Sequence, residues 1–292
     1  MNLYLGGPIW AYKEWVGSFY PPGTKASDYL QEYTRRLTTV EGNTTFYAVP
    51  SAETLQSWAA TMPPTFRFCP KLPRAISHAG KLSGKIAQAQ QFCAVLSQLG
   101  INLGPMFLQL PPRYPPDWLD DLESFLNAWP PQVQLAVEVR HLGWFDAAHN
   151  ENLNELLCKH DMARVVIDTR PIRSLQGDRI LAGSVYQRLL AARQRKPDLP
   201  ILPERTASFI FLRYIGHPQI DLNNPYMEEW ASQLAKWLQG GAEAYVFCHC
   251  PDERLDPWLC RELHRKVAEI IALPPLPWEE AEAGTARQAS FF

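Results

Sequence analysis

Eight short apolar runs, each followed by a stretch of helical periodicity, recur along this chain, and that alternation limits the fold more than any other feature. The runs are LYLGG (3–7), TTVEGNTTFYAVP (38–50), FRFCPKL (66–72), MFLQL (106–110), LAVEVR (135–140), ARVVID (163–168), SFIFLRYIG (208–216) and AYVFCHC (244–250). Continuous apolar strands separated by helices are the mark of a parallel sheet covered on its outer face. Eight such units in series predict an α/β chain closed as a (β/α)8 TIM barrel.

The helical stretches carry their own punctuation. Ser27 and Ser51 are placed as N-caps, the second ahead of Leu55, Trp58 and Ala59 on a helix that must stop before Pro63 and Pro64. Ile86, Ala89, Cys93, Leu96 and Leu99 form a stripe that Gly100 can end, and Met227, Trp230, Leu234 and Trp237 form another closed by Gly240 and Gly241. Asp256 followed by Pro257 reads as an N-cap with proline in the first helical position. Pro70 is out of place in a central strand and predicts an irregular end to the third run.

With 292 residues the chain suits one barrel domain, placed at 1–272. Residues 169–207 fall outside the eight units as an insertion lying over or beside the mouth. Residues 273–292 form a Pro/Glu/Ala-rich tail expected to be mobile, its early part able to pack back through Trp278. Hydrophobic residues at 46% and charged residues at 20% supply a core without approaching a membrane span. The N-terminus lacks the pattern of a signal peptide, so a cytoplasmic location with no membrane partner is expected. Cys69, Cys93, Cys158, Cys248, Cys250 and Cys260 are scattered and read as reduced thiols; Cys248, His249 and Cys250 are a weak zinc pattern.

Polar residues gather where a barrel places its active site, at the C-terminal ends of the strands. They are Glu41 and Asn43, Lys71, Gln109, Glu138 and Arg140, Asp168, Arg213 and His249. Burying that many ionisable groups without pairing would cost several kcal/mol each, so they either pair with one another or line a polar site. Lys71, Arg140 and Arg213 point to an anionic ligand, and the insertion adds eight Lys or Arg against three acids, a local balance of +5 in a chain of net −2. That basic stretch either draws in the anion or is a solvated helix face, with a nucleic-acid contact through 170–205 as a lesser alternative. Trp10, Tyr12, Trp15, Phe19 and Tyr20 in the first loop read as packing first and ligand stacking second.

Several segments together resemble the family called domain of unknown function 72, or YecE-like: WAYKEWVGSFYP, VEGNTTFYAVP, FRFCPKLPRAISH, QLPP, EVRHLGWF, the strand end at Asp168, and LRYIG. The resemblance spans about residues 3–255 and implies a TIM barrel without implying a settled activity. It places Glu41, Asn43, Thr45, Tyr47, Lys71, His78, Gln109, Glu138, Arg140, Trp144, Asp168 and Arg213 at motif positions. CHCPDERLDP and YIGHP depart from the family pattern, so it sets no role for His217 or His249.

The expected function is an enzyme using acid/base chemistry on a small phosphorylated or carboxylated, sugar-like substrate. Catalytic candidates are Glu41, Lys71, His78, Glu138 and Asp168; substrate-binding candidates are Asn43, Tyr47, Gln109, Arg140, Trp144 and Arg213. No cofactor is called for. The alternatives are a divalent-metal barrel for sugar isomerisation or phosphodiester cleavage, a two-carboxylate glycosidase, and a non-catalytic ligand- or nucleic-acid-binding protein.

Overall fold

The computed structural model describes residues 2–175, 181 and 183–279. Its strands are β1 (Leu3–Gly6), β2 (Thr39–Gly42), β3 (Arg67–Pro70), β4 (Met106–Gln109), β5 (Leu135–Glu138), β6 (Ala163–Asp168), β7 (Phe209–Ile215) and β8 (Glu243–His249). The α-helices are α1 (Tyr29–Thr34), α2 (Ala52–Thr61), α3 (Arg74–Ser77), α4 (Ile86–Leu96), α5 (Leu119–Asn127), α6 (Ala147–Lys159), α7 (Arg170–Arg173), α8 (Gly183–Arg195), α9 (Asn224–Gln239) and α10 (Asp256–Ala268).

All pairings between these strands are parallel, as expected, but they do not close into one eight-stranded ladder. Six strands form one sheet in the order β1-β8-β7-β6-β5-β4, a parallel half-barrel, and β2 with β3 forms a separate two-stranded sheet. This corrects the closed barrel expected from the alternation.

Side chains and prolines explain both breaks. On the β1 side, Leu5 N donates to Thr38 Oγ1 (2.9 Å) and Gly7 N donates to Tyr33 Oη (2.7 Å), so side-chain oxygens replace the β2 carbonyls a ladder would use. Among the described residues only Thr38 N to Leu5 O and Glu41 N to Gly7 O cross by backbone. The approach is close: a Cβ on Gly6 would stand 1.8 Å from Thr39 O. Between β3 and β4, Gly104 N donates to Phe68 O and Leu72 N to Phe107 O. The rung two residues before Leu72 falls on Pro70, which has no N–H to give.

Most helical expectations hold locally. Ser51 accepts from Thr54 N (3.2 Å) at the start of α2, and Gly241 ends α9 in the left-handed region at φ 80°. Gly100 sits at φ 56° within the 3-10 segment that follows α4. Ser27 caps nothing; its hydroxyl donates to Asp28. Asp256 is not an N-cap either. It is the first residue of α10, with its carboxyl buried and without a hydrogen-bond partner among the described residues, and burial drives its pKa well up.

The main core runs from Leu5 to Trp278. The first loop packs into it: Trp15, Phe19 and Tyr20 are buried, and Phe19 meets Trp278 edge-on at 5.0 Å. Trp278 also lies 4.6 Å from Trp258, so the early part of the tail packs back; residues 280–292, where most of the expected mobile tail falls, lie outside the described residues. A second cluster is enclosed by the strands, where Phe107 stacks on Phe211 (5.2 Å) and Phe211 lies 4.7 Å from Phe247. A third, built from Ile167, Ile172, Leu189, Ala192, Leu199 and Ile215, seats the insertion helix α8 on the ends of β6 and β7. No helix among the described residues is long and apolar enough to cross a membrane.

Candidate functional site

The aromatic plug ends at Phe107, and a buried ionic cluster lies directly on it. Arg213, from β7, holds its guanidinium carbon 4.9 Å from the Phe107 centroid. It donates from Nε to Glu41 Oε2 (2.7 Å) and from Nη2 to Glu41 Oε1 (2.9 Å), a forked pair that only a guanidinium can make. Its third nitrogen, Nη1, donates to Glu138 Oε2 (2.7 Å). The other Glu138 oxygen accepts from Arg140 Nε. Glu41 is further held by Asn43 Nδ2 (2.8 Å) and by His249 Nε2 (3.2 Å).

Asn43 was expected on the β2 face with Glu41, but the strand ends at Gly42 and a 3-10 turn, Asn43–Phe46, folds the amide back onto the carboxylate. Arg140 likewise lies beyond the end of β5 rather than on it.

Opposing effects set the ionisation of this cluster. Burial pushes both carboxyls up, but Arg213 with His249 holds Glu41 well below its ordinary value, and Arg140 with Arg213 brings Glu138 to about 2. Burial pushes His249 down to about 4 despite Glu41 beside it, so the ring is neutral at pH 7 and the nitrogen facing the carboxylate carries the proton. Lys71 donates to Gln109 Oε1 (2.9 Å) and lies 4.5 Å from the Phe46 ring and 5.4 Å from that of Phe107. Burial and the Arg213 charge lower it to about 8.

Above this cluster opens a cavity of about 560 Å³. Asn43, Phe46, Tyr47, Lys71, Gln109, Arg140, Arg213 and His249 line its inner part, with Tyr47 81% exposed at the rim. Arg188, Arg195 and Lys196, on or just past α8, form the opposite wall, and Cys250, Pro251 and Glu253 close the side after β8. Among the described residues six cationic side chains thus line the space with the one lining carboxylate of Glu253, while Asp252 lies 3.5 Å from Arg188 and Glu41 and Glu138 stay buried behind Arg213. A second groove of about 310 Å³, between Val49 and Val95, is apolar and has no ionisable lining.

The structure brings together most of the residues expected at the site and separates three. Asp168 is buried away from the cavity, accepting from Arg170 and from Trp230 Nε1 (2.7 Å), so it ties the end of β6 to α9. Trp144 is wholly buried, with Nε1 donating to Tyr114 O (2.9 Å). His78 is half-buried outside the cavity lining, beside Ser77 Oγ (2.8 Å) and edge-on to Phe46, and burial lowers it to about 4. His217 stays in its own loop, its Nδ1 accepting from Gln219 N.

Two alternatives lose their geometry. Among the described residues no three His, Cys, Asp or Glu side chains converge as metal ligands would. The Arg213 guanidinium fills the space between Glu41 and Glu138 where a glycosidase pair would need its sugar. Much of the basic insertion is also paired within the chain: Arg170 to Asp168 and Glu229, Arg173 to Lys196 O and Asp198, Arg205 to Ala207 O and Gly240 O.

Sequence reasoning did not place His249, Lys196, Arg188, Arg195 and Cys250 in the ligand-binding set. His249 carried the same signal as Arg213, a polar residue ending an apolar strand. Lys196 carried only the general basic charge of the insertion, because its place depends on how α8 docks.

A model of the family described as Protein of unknown function DUF72 matches residues 4–281. UPF0759 protein YecE of Escherichia coli (strain K12) is 31% identical over 284 residues, covering 96% of this chain and 99% of that protein. UPF0759 protein YunF of Bacillus subtilis (strain 168) is 27% identical over 256 residues, covering 84% and 87%. Among solved structures, a DUF72 family protein of Thermotoga maritima superposes with a TM-score of 0.66 at 19% identity, covering 92% of this chain and all of that one. One from Enterococcus faecalis gives 0.67 at 16%, covering 94% and 96%. Both likenesses show the fold.

Proposed function

This chain belongs to the DUF72 family, whose description names no reaction, and for it we propose an enzyme that carries out acid/base chemistry on a small phosphorylated or carboxylated, sugar-like molecule. The observation behind this reading is the cavity itself, with six cationic side chains around about 560 Å³ and its two strongest counter-charges sequestered underneath. A space of that size takes a ligand of metabolite dimensions.

The roles follow from the ionisation states. Glu138 at about 2, and Glu41 held well below its ordinary value by Arg213, are weak bases at neutral pH and serve to fix Arg213 and Arg140. Lys71, at about 8, changes protonation close to the working range and is the group suited to move a proton. Arg140, Arg195 and Arg188 hold the anion, Gln109 orients the lysine, and Asn43 and Tyr47 meet the polar remainder of the ligand.

Calorimetric titration with glucose 6-phosphate, glucuronate and glucose tests binding. The charged sugars are expected to bind, glucose not, and Lys71→Met to weaken binding at least tenfold; equal binding of glucose sinks the anion reading. Any ligand that binds is then incubated with the protein in deuterated water and followed by NMR. Deuterium entering the ligand, and failing to enter with Lys71→Met, is the expected result. Binding without exchange for every bound ligand would overturn the catalytic reading and leave a sequestering protein.

A further inference from the structure

Two lysines line the cavity, and they are held differently. Lys71 Nζ has an acceptor in Gln109 and two aromatic faces, all favouring its charged form. Lys196 has neither: among the described residues its Nζ makes no hydrogen bond and no ion pair. Its backbone is nonetheless fixed on every side. Lys196 N donates to Ala192 O (2.8 Å), Arg173 Nη2 donates to Lys196 O (2.8 Å), and Thr169 Oγ1 donates to Pro197 O (2.9 Å). The rest of α8 is anchored by Leu189 and Ala192. A half-buried lysine on a rigid base thus lines a cavity already crowded with guanidinium groups.

We propose that Lys196 is a nucleophilic amine that forms a reversible imine with an aldehyde or ketone carbonyl of an anionic ligand, the guanidinium groups of Arg140 and Arg195 holding the anion. The inference rests on the anionic-ligand reading above. In the step itself the free amine attacks the carbonyl carbon, a C=N double bond replaces the C=O double bond, and the carbonyl oxygen leaves as water carrying both amine protons. No oxidant or reductant is consumed. An amine must be unprotonated to attack, and burial, followed by the Arg213 charge, lowers Lys196 to about 7, so much of it is neutral at physiological pH. Lys71, at about 8 and tied to Gln109, suits proton transfer to the leaving oxygen.

The probe is pyridoxal 5′-phosphate, an aldehyde bearing a phosphate, added to the full-length protein and fixed with borohydride before peptide mapping by mass spectrometry. One adduct per chain is expected on Lys196, at least tenfold above any other lysine. It should be reduced tenfold or more by excess inorganic phosphate or by using pyridoxal without the phosphate, and absent in Lys196→Arg. Labelling on Lys71, or spread evenly over surface lysines, overturns the assignment to Lys196. If phosphate raises the melting temperature but Lys196 stays unmodified, the imine is wrong and the anion site stands. If phosphate neither protects nor stabilises, the anion reading has failed first.

Discussion

Replacing Arg213 with methionine removes the cation but leaves Glu41 and Glu138 buried, and the structure sets the size of the result. Three charge-assisted hydrogen bonds, at 2.7, 2.9 and 2.7 Å, disappear together. Glu41 keeps Asn43 and His249, and Glu138 keeps Arg140, so neither carboxylate is stranded completely. Breaking a buried pair by deleting one partner costs about 3–5 kcal/mol, a large part of an ordinary domain's stability. For a chain of 292 residues this lowers the melting temperature by roughly 5–8 °C.

The loss also depends on pH in a calculable direction. In the native protein both carboxyls are held below their ordinary values, so their contribution is complete at pH 7 and still present at pH 5. Without Arg213 their pKa values rise, the folded variant takes up protons that the parent refuses, and the deficit shrinks on acidification. Urea unfolding of both proteins at pH 7 and pH 5, with unchanged slope, gives the difference. A deficit under about 1 kcal/mol at pH 7, or one that grows at pH 5, would refute the role of Arg213 as shared partner of the two carboxylates.

Three further outcomes are expected. Burial keeps His249 near 4 against an ordinary 6.5, so its contribution is present above pH 6.5 and is lost as pH falls to 4, on the order of 3 kcal/mol. His249→Asn should flatten urea midpoints across that window, and an unchanged slope would show that the imidazole is protonated in the fold. Gly6→Ala places a methyl 1.8 Å from Thr39 O, a backbone atom that cannot rotate aside, and should cost at least about 3 kcal/mol in thermal unfolding. Thr38→Val strips the acceptor from Leu5 N and should cost about 1–3 kcal/mol while speeding hydrogen exchange at that amide; unchanged protection of the Leu5 amide would refute the proposed break in the ladder.

What the sequence could and could not disclose follows from the range of each interaction. β6 spans the predicted residues 163–168, and the stripe of α9 buries the predicted Met227, Trp230, Leu234 and Trp237, because periodicity and capping are local. The break in the sheet was not legible, since it depends on Thr38 and Tyr33 side chains taking over acceptors from a neighbouring strand. At the site, strand alternation marked Glu41, Glu138 and Arg213 as inward and polar. Their pairing joins residues 172 and 75 positions apart, which no spacing rule reaches. Asp168 carried the same strand-end signal and went instead to Arg170 and Trp230, so position at a strand end selects candidates without choosing among them. The insertion shows the same limit: its charge predicted attraction for an anion, while the side facing the cavity depends on where Leu189 and Ala192 find their pocket.

In the floor, Lys71, Arg140 and Arg213 lie with Glu41 and Glu138, and the rest of the lining adds Arg188, Arg195, Lys196 and Glu253, with Arg188 3.5 Å from Asp252. The guanidinium groups keep their charge at any physiological pH, Glu41 and Glu138 stay ionised, and His249 stays neutral. Lys196 at about 7 and Lys71 at about 8 are therefore the lining groups whose charge changes around neutrality. Each loses its positive charge as pH rises, so the surplus that attracts an anion falls between pH 6.5 and 9. Sulfate keeps a constant charge over that range and isolates the protein's part of the change. Its dissociation constant should rise more than tenfold from pH 6.5 to 9, and Lys71→Met should remove a large share of that dependence. A flat profile would mean that both lysines keep their protons, and with them would go the roles assigned to Lys71 and Lys196.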